Sequence, residues 1–494
     1  MLPHSMSLQQ FREQAHRVAD FVADYYRDLQ LHPDRFPSKC QEQPGFLREL
    51  LPDHAPEVGE SFEVILQDMQ QHIMRGLSHW QSPNFFAFFP CNSSYPGMLG
   101  EWLSSCFNAV GFTWATSPSF TELETIVMDW LAQAIGLPSS FLSHGEGGGV
   151  IQGTASEACL VALLAARQRA VTHFAETTSP EDKARTIGRM VVYTSAQAHS
   201  SIKKACVIAG VERLRLIPTK DHAMCTATLE TLIQEDVAAD LIPLLVVGTY
   251  GTTSCGGVDD IAELCRLCSL SCLKLPMWMH VDAAYAGSAL LCPEYQEDMP
   301  DLGRVDSFNF NPHKWMMTNF DVSALWVRHR SLLVDALSTT PPYLRHDFTG
   351  LVTDYKDWQI PLGRRFRALK LWFVLRSFGL EGLRHHIRKD VELARRFESF
   401  VRKDDRFELI APAKFGLVCF RWRNHSDRDN EVLLNAINEG GKYWLINTKE
   451  DDQFIIRFAT GSPQTLPCHV DAAWEHIQQC VSRLEEGGCA AESN

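Results

Sequence analysis

Two short runs hold the residues best suited to chemistry in this 494-residue chain. Met279-His280-Val281-Asp282-Ala283-Ala284-Tyr285 places an aspartate at the end of an apolar strand-like run, and Phe308-Asn309-Phe310-Asn311-Pro312-His313-Lys314-Trp315 places a lysine just after another. A buried lysine at a strand end can tether an aldehyde as an imine. An aspartate one crossover away can keep a pyridine nitrogen protonated. Pyridoxal 5′-phosphate (PLP) needs those two groups to act as an electron sink.

Other segments are read beside this pair. Gly145 to Gly149 lead through Val150-Ile151-Gln152-Gly153-Thr154 to Ala155-Ser156-Glu157 and a helix running through Leu163. The run lacks both the Gly-Lys-Ser/Thr of a P-loop and the spacing of a dinucleotide fingerprint. It reads as a glycine-rich turn delivering Ala155 and Ser156 to a helix N-terminus, where N–H groups and the helix dipole favour a phosphate. Glycine turns before helices are common, so this signal draws its weight from Lys314 and Asp282. His199, in Gln197-Ala198-His199-Ser200-Ser201, is by itself a capping or core histidine. In a PLP site, an imidazole can instead lie flat on the pyridine ring and orient the carboxylate to be lost. Thr253 either hydrogen-bonds near the ring or caps a turn. Only the α-bond perpendicular to the ring overlaps its π system, so a decarboxylase must hold the carboxylate perpendicular.

The elements that must position these residues follow from periodicity. Ser7-Leu8-Gln9-Gln10 is a capping box opening an amphipathic helix, and Thr121-Glu122-Leu123-Glu124 reads as a second box, with Gly136 near that helix's stop. A further helical run lies near 61–75. Short apolar strands are predicted at 190–193, 244–248, 278–281, 307–310 and 324–327, with helices between several of them. That alternation implies βαβ units in a largely parallel, doubly covered sheet, whose ligands bind at the carboxyl ends of the strands. After about residue 370 come helices at 367–376 and 382–402, a strand at 417–422, a helix at 430–438, a strand at 454–458 and a last helix at 468–485. The expected division is an arm (1–94), a large domain (95–369) and a small α+β domain (370–494).

Composition narrows the function classes. Hydrophobic residues make up 45%, charged residues 21%, and the net charge is −14 without a run of like charge, which argues against nucleic acid and a basic membrane-binding face. No segment approaches the ~18 apolar residues of a membrane span. The first residues lack the pattern of a secretory signal, and fifteen scattered cysteines suit a reducing cytoplasm. Cys265, Cys268 and Cys272 with Cys255 invite a metal reading. However, Ile261, Leu264, Cys265, Cys268 and Cys272 make one apolar helix stripe and no zinc-type spacing completes the set, so no metal is expected.

With these residues assembled, nearly the whole chain resembles the aromatic-L-amino-acid decarboxylases, the PLP enzymes that include dopa, tyrosine and tryptophan decarboxylases. Six motifs carry the likeness. They are His79 to Phe86, Thr121 to Glu124, Gly149 to Ala158, Gln197 to Ser201, Asn311 to Trp315, and Trp358-Gln359-Ile360-Pro361-Leu362-Gly363-Arg364-Arg365-Phe366. The resemblance implies PLP fold type I, like aspartate aminotransferase: a mixed, mostly parallel sheet, a helical N-terminal arm exchanged in the dimer and a small C-terminal α+β domain. It also implies an obligate homodimer with active sites at the interface. By motif, Lys314 is the tethering lysine, Asp282 pairs with the ring nitrogen and His199 stacks on the ring. Ala155, Ser156 and Asn311 hold the phosphate with His313 beside them, and Ala284 and Thr253 line the ring. Trp80, Phe88, Phe89, Pro90, Cys91, His199, His313, Phe320 and Gly363 shape the substrate pocket, and Val110 and Phe112 reach it from the partner subunit. Tyr343 lies on a mobile loop and protonates the substrate carbon after CO₂ leaves; 338–350 also reads as a proline-bearing surface loop.

Phe88 and Cys91 stand where animal dopa decarboxylases usually carry tyrosine and threonine, which removes a partner for a ring hydroxyl. Glycine at 363, where histidine-specific and plant tyrosine-specific relatives tend to carry serine, favours an indole or catechol. The same resemblance includes aldehyde synthases, which decarboxylate and oxidatively deaminate and tend to lose the loop tyrosine or the stacking histidine. Both Tyr343 and His199 are present here. A non-catalytic PLP-binding homologue is the alternative of a different class, and the complete set of Lys314, Asp282, His199 and Tyr343 speaks against it. Decarboxylation of an acidic amino acid lacks support, since Phe85–Pro90 adds no arginine for a second carboxylate.

Overall fold

Ser7 caps the first helix as its sequence predicts: its hydroxyl accepts from the Gln10 N–H while the Gln10 side chain accepts from the Ser7 N–H. The computed structural model describes residues 6–491 except Thr340 and Asp451, with side chains to residue 486. The main helices are α1 (Leu8–Leu31), α2 (Tyr95–Phe107), α3 (Pro118–Ala134), α4 (Ala155–Phe174), α5 (Ser201–Ala209), α6 (Arg367–Lys403), α7 (Asp427–Asn438) and α8 (Pro467–Ala491). Seven strands form the main sheet: β1 (Gly148–Gln152), β2 (Met190–Ser195), β3 (Arg213–Ile217), β4 (Ile242–Thr249), β5 (Trp278–Asp282), β6 (Ser307–Phe310) and β7 (Ser323–Val327). Their order is β1-β7-β6-β5-β4-β2-β3. Pairing is parallel from β3 through β2, β4 and β5 to β6, and antiparallel where β7 meets β6 and β1. Every residue of β2, β4, β5 and β6 is buried, as in a sheet covered on both faces. The fold is the mixed, mostly parallel α/β type that the sequence predicts. Among the described residues no helix is long and apolar enough to cross a membrane.

The chain forms two compact units. One comprises residues 91–391 and 413–417 and contains the seven-stranded sheet; the other joins residues to Pro90 with 392–412 and 418–494. The second unit holds a sheet of β8 (Phe407–Leu409), β9 (Leu417–Trp422), β10 (Ile446–Glu450) and β11 (Gln453–Ala459), in the order β8-β9-β11-β10. In its core Phe397 stacks on Phe458 at 3.7 Å, with Phe86 on the other ring at 4.1 Å. The boundaries differ from the three expected parts because the N-terminal segment packs with the C-terminal one. The first half of α6 instead buries Ala368, Leu371, Val374, Leu383 and Ile387 in the large unit.

Local readings also need correction. Thr121 and Glu124 form no capping box: α3 begins earlier, with Pro118 at its first turn, and Glu124 is a fully buried acid inside it. The glycine run is a turn only at Gly145 and Glu146; Gly148 and Gly149 already belong to strand β1. There a Cβ on Gly149 would lie 2.5 Å from Trp326 Nε1, so glycine permits close packing. Cys272 is exposed because its helix, Ile261–Leu267, has already ended; Cys265 and Cys268 stay buried. Strands β1, β3, β8 and β10 had no sequence prediction, β3 because Arg213-Leu214-Arg215-Leu216-Ile217 is a partly exposed edge.

Candidate active site

Strands β2, β4, β5 and β6 run parallel, so their carboxyl ends share one edge of the sheet, where α/β folds bind ligands. His199 follows β2, Thr253 follows β4, Asp282 ends β5, and Asn311, His313 and Lys314 follow β6. Asp282 is buried, and its Oδ1 accepts from the Ala284 N–H at 3.0 Å. Ala283 N donates to Asn309 O and Asn311 N to Ala284 O, which ties the Asp282 turn to the Lys314 turn. Lys314 sits on a one-turn helix, Pro312–Trp315. The next side chain fixes it: Trp315 is fully buried, stacks on Tyr285 at 5.1 Å and donates from Nε1 to Asp390 Oδ2 at 2.9 Å. Lys314 is left half-buried beside this anchor.

Both histidines here are neutral and of known tautomer. The Ser201 backbone N–H can only donate, and it points at His199 Nδ1 at 3.2 Å, leaving Nε2 to carry the proton. Burial, then the Lys314 charge, lower the His199 pKa, and Asp282 opposes them; all three groups therefore sense one another. The Val322 N–H likewise donates to His313 Nδ1 at 2.9 Å, and burial with the Lys314 charge pushes His313 down to about 3. Burial raises the Cys91 thiol to about 11 against the opposing pull of Lys314 and Lys370, so it stays protonated.

The PLP phosphate has a fitting cradle. Thr154 caps α4 by accepting from Glu157 N, and the N–H groups of Ala155 and Ser156 belong to the first turn, which a helix leaves without internal partners. Asn311 Oδ1 is buried with no protein partner, an orphan that suits a ligand-filled site. Thr253 lies half-buried on a loop that Asp259 pins by accepting from Thr249 N and Met224 N. Ala155, Ser156, Asn311 and His313 would hold the phosphate, Lys314 the aldehyde carbon and Asp282 the ring nitrogen.

The residues that the resemblance assigns to the substrate fall in both units. Trp80, Phe88, Phe89 and Pro90 belong to the smaller unit, where Trp80 stacks on Phe85 at 4.7 Å and on Phe88 at 5.4 Å, and Phe88 meets Trp444 edge-on. In the larger unit, Phe320 packs on His313 at 4.8 Å and is itself largely exposed. Val110 is half-exposed, Phe112 is partly buried, and a Cβ on Gly363 would lie 3.6 Å from Val110 Cγ1. Tyr343 is 78% exposed in the turn Pro342–Leu344.

Tertiary structure adds residues that the sequence reading missed. Arg364, next to Gly363, forms a buried ion pair with Glu124, donates to Gln359 Oε1 at 2.5 Å and lies over the Tyr355 ring at 4.8 Å. Glu124 Oε1 also accepts from Ile151 N at 2.8 Å, fastening the loop to β1. Lys370 is buried against Glu101 at 2.8 Å, and burial lowers its pKa to about 8. The motif Trp358 to Phe366 contained Arg364, but its partner lies 240 positions away.

Fold and site define a PLP-dependent enzyme of fold type I. The profile described as the pyridoxal-dependent decarboxylase conserved domain matches residues 44–423. Tyrosine decarboxylase 2 of Narcissus pseudonarcissus is 47% identical across 98% of this chain and 96% of that protein. The aromatic-L-amino-acid decarboxylase of Bos taurus is 48% identical across 97% of each. Among solved structures, Oryza sativa TDC with PLP and tryptamine superposes with a TM-score of 0.92 at 39% identity, covering 97% of this chain and 99% of that one. The Rhodiola rosea 4-hydroxyphenylacetaldehyde synthase reaches 0.89 at 40% identity, over 97% and 99%. This chain belongs to the pyridoxal-dependent decarboxylase family, in the branch of aromatic-L-amino-acid decarboxylases; it is a carboxy-lyase and its cofactor is PLP.

Proposed function

We propose that this enzyme removes CO₂ from an aromatic L-amino acid, giving the arylalkylamine. The observation that carries this is the meeting of Lys314, Asp282 and a neutral His199 on one sheet edge. Bound PLP supplies an electron-withdrawing ring conjugated to the substrate α-carbon. Lys314 would hold the cofactor, and the Asp282 carboxyl would face the ring nitrogen and favour its protonated form. His199 would lie against the cofactor ring and, through the proton on Nε2, would orient the substrate carboxylate for loss. Tyr343 then returns a proton to the α-carbon from its loop.

The family motifs assign Trp80, Phe88, Phe89 and Pro90 of the smaller unit, and Cys91 and Phe320 of the larger, to substrate binding, with Val110, Phe112 and the adjoining Gly363 supplied by a second copy. The exposed apolar side chains Tyr95, Leu99, Trp102, Leu103 and Phe107 on α2 support a homodimer, since together they present an apolar patch to solvent. The free state of the described cysteines fits a reducing cytoplasm. Gly363 leaves room for a bicyclic ring, so tryptophan and 5-hydroxytryptophan are placed ahead of dopa and tyrosine.

Borohydride reduction and peptide mapping test the tether: a pyridoxyl label on Lys314 is expected, and a label on another amine would refute it. Turnover with the four amino acids, following amine, aldehyde and hydrogen peroxide, tests the reaction. Stoichiometric peroxide would replace the decarboxylase reading with that of an aldehyde synthase.

A further inference from the structure

Behind Asp282 a line of buried polar groups leads away from the site. Strand alternation puts Trp278, His280 and Asp282 on one face of β5, beside Ser307 and Asn309 of β6. Cys159 of α4 stands against them: its Sγ is 3.5 Å from His280 Nε2 and 3.8 Å from Asn309 Oδ1. His280 Nδ1 is 2.8 Å from Ser307 Oγ, which is 2.7 Å from Trp278 Nε1. His280, Ser307 and Asn309 have no solvent exposure.

The donors fix a direction. The Trp278 indole N–H can only donate, so it occupies a lone pair of Ser307 Oγ. The Ser307 hydroxyl keeps its own proton to give, and His280 Nδ1 at 2.8 Å is placed to accept it. In that arrangement the proton of the neutral imidazole is on Nε2, facing Cys159. Burial keeps His280 neutral, at about 4, and holds the Cys159 thiol well above its usual pKa, an effect that the facing Asp282 charge reinforces while Lys314 opposes it. Asp282 lies at the end of this row, where its side chain hydrogen-bonds the Cys159 thiol. A buried carboxylate needs several donors, and the Ala284 N–H supplies one.

We propose that Trp278, Ser307, His280 and Cys159 form a positioning relay whose N–H, O–H and S–H dipoles stabilise the Asp282 carboxylate, which would in turn hold a proton on the cofactor's ring nitrogen. The proposal rests on the reading that Asp282 faces the ring nitrogen. None of the four residues touches substrate; each acts through Asp282.

The test uses holoenzyme loaded with PLP carrying ¹⁵N in the ring, since the ring-nitrogen resonance reports its protonation directly. In the unaltered enzyme the resonance should lie at the protonated position. His280→Leu and Cys159→Val should move it toward the unprotonated position and lower kcat about tenfold or more with KM within about twofold, the size expected for losing a hydrogen bond to a charge. His280→Gln and Cys159→Ser, which restore a donor, should return it. The relay is overturned if His280→Leu or Cys159→Val binds PLP and keeps the original resonance while Asp282→Asn shifts it. An unmoved resonance in Asp282→Asn would instead remove the underlying reading of Asp282. Should His280→Leu fail to fold, the Cys159→Val and Cys159→Ser pair decides alone.

Discussion

Replacing Arg364 by methionine strands the Glu124 carboxylate in a position with no solvent exposure. Its Oε1 would keep the Ile151 N–H at 2.8 Å, but the guanidinium that neutralises it would be gone. Leaving one partner of a buried pair uncompensated costs about 3–5 kcal/mol. For a unit of about 300 residues, with an unfolding entropy of about 2.1 cal/mol/K per residue, a cost of ~4 kcal/mol lowers Tm by about 6 °C. The pair is not fully satisfied, because Arg364 Nε and Glu124 Oε2 lack hydrogen-bond partners. The double variant Glu124→Gln, Arg364→Met therefore removes both charges while an amide oxygen still receives the Ile151 N–H, and it should recover most of the lost Tm. Arg364 also holds Gln359, whose Nε2 donates to Leu362 O at 3.3 Å and Gly363 O at 3.4 Å. Loosening it should raise KM more than it lowers kcat. Thermal unfolding at a fixed scan rate and steady-state kinetics on the three variants are the assay. A double variant as unstable as the sum of its singles, or Arg364→Met with an unchanged Tm, would refute the argument.

Stability should fall with acid because His280 and His313 are buried neutral, at about 4 and about 3. The unfolded chain binds a proton on each below its ordinary pKa of about 6.5 while the folded form does not, so stability is complete above that pH and drops by ~1.4 kcal/mol per histidine per pH unit toward 4. Below pH 6 the buried Asp259, raised by burial to about 6, works in the opposite sense, since its folded form keeps a proton that the unfolded chain has released. Urea midpoints between pH 7 and 5 check the net slope; His313→Gln should flatten it by one proton, and an unchanged slope would contradict the assignment. Gly149→Ala, whose Cβ would meet Trp326 Nε1 at 2.5 Å and Met128 Cε at 2.7 Å, should cost about 1–3 kcal/mol in the same assay. Gly363→Ala meets only Val110 at an ordinary 3.6 Å, so its Tm should stay put while KM for tryptophan rises relative to tyrosine; equal changes for both would remove Gly363 from the pocket.

The local sequence was enough to place Asp282 and Lys314 at strand ends, because short continuous apolar runs are a local signal. It was enough for the capping box of α1 and for the parallel core strands, whose apolar runs need no partner to be recognised. Where the chemistry hangs on pairing between distant segments, it was silent. Glu124 looked like a capping residue until Arg364 appeared beside it, and Gly149 read as part of a turn until Trp326 and Met128 filled the space against it. His280 and Cys159, 121 positions apart, became neighbours of Asp282 only once α4 had packed on β5. A single sequence encodes propensity and periodicity locally, whereas the protonation state and orientation of a buried group depend on what surrounds it. Those surroundings exist only after the chain has folded.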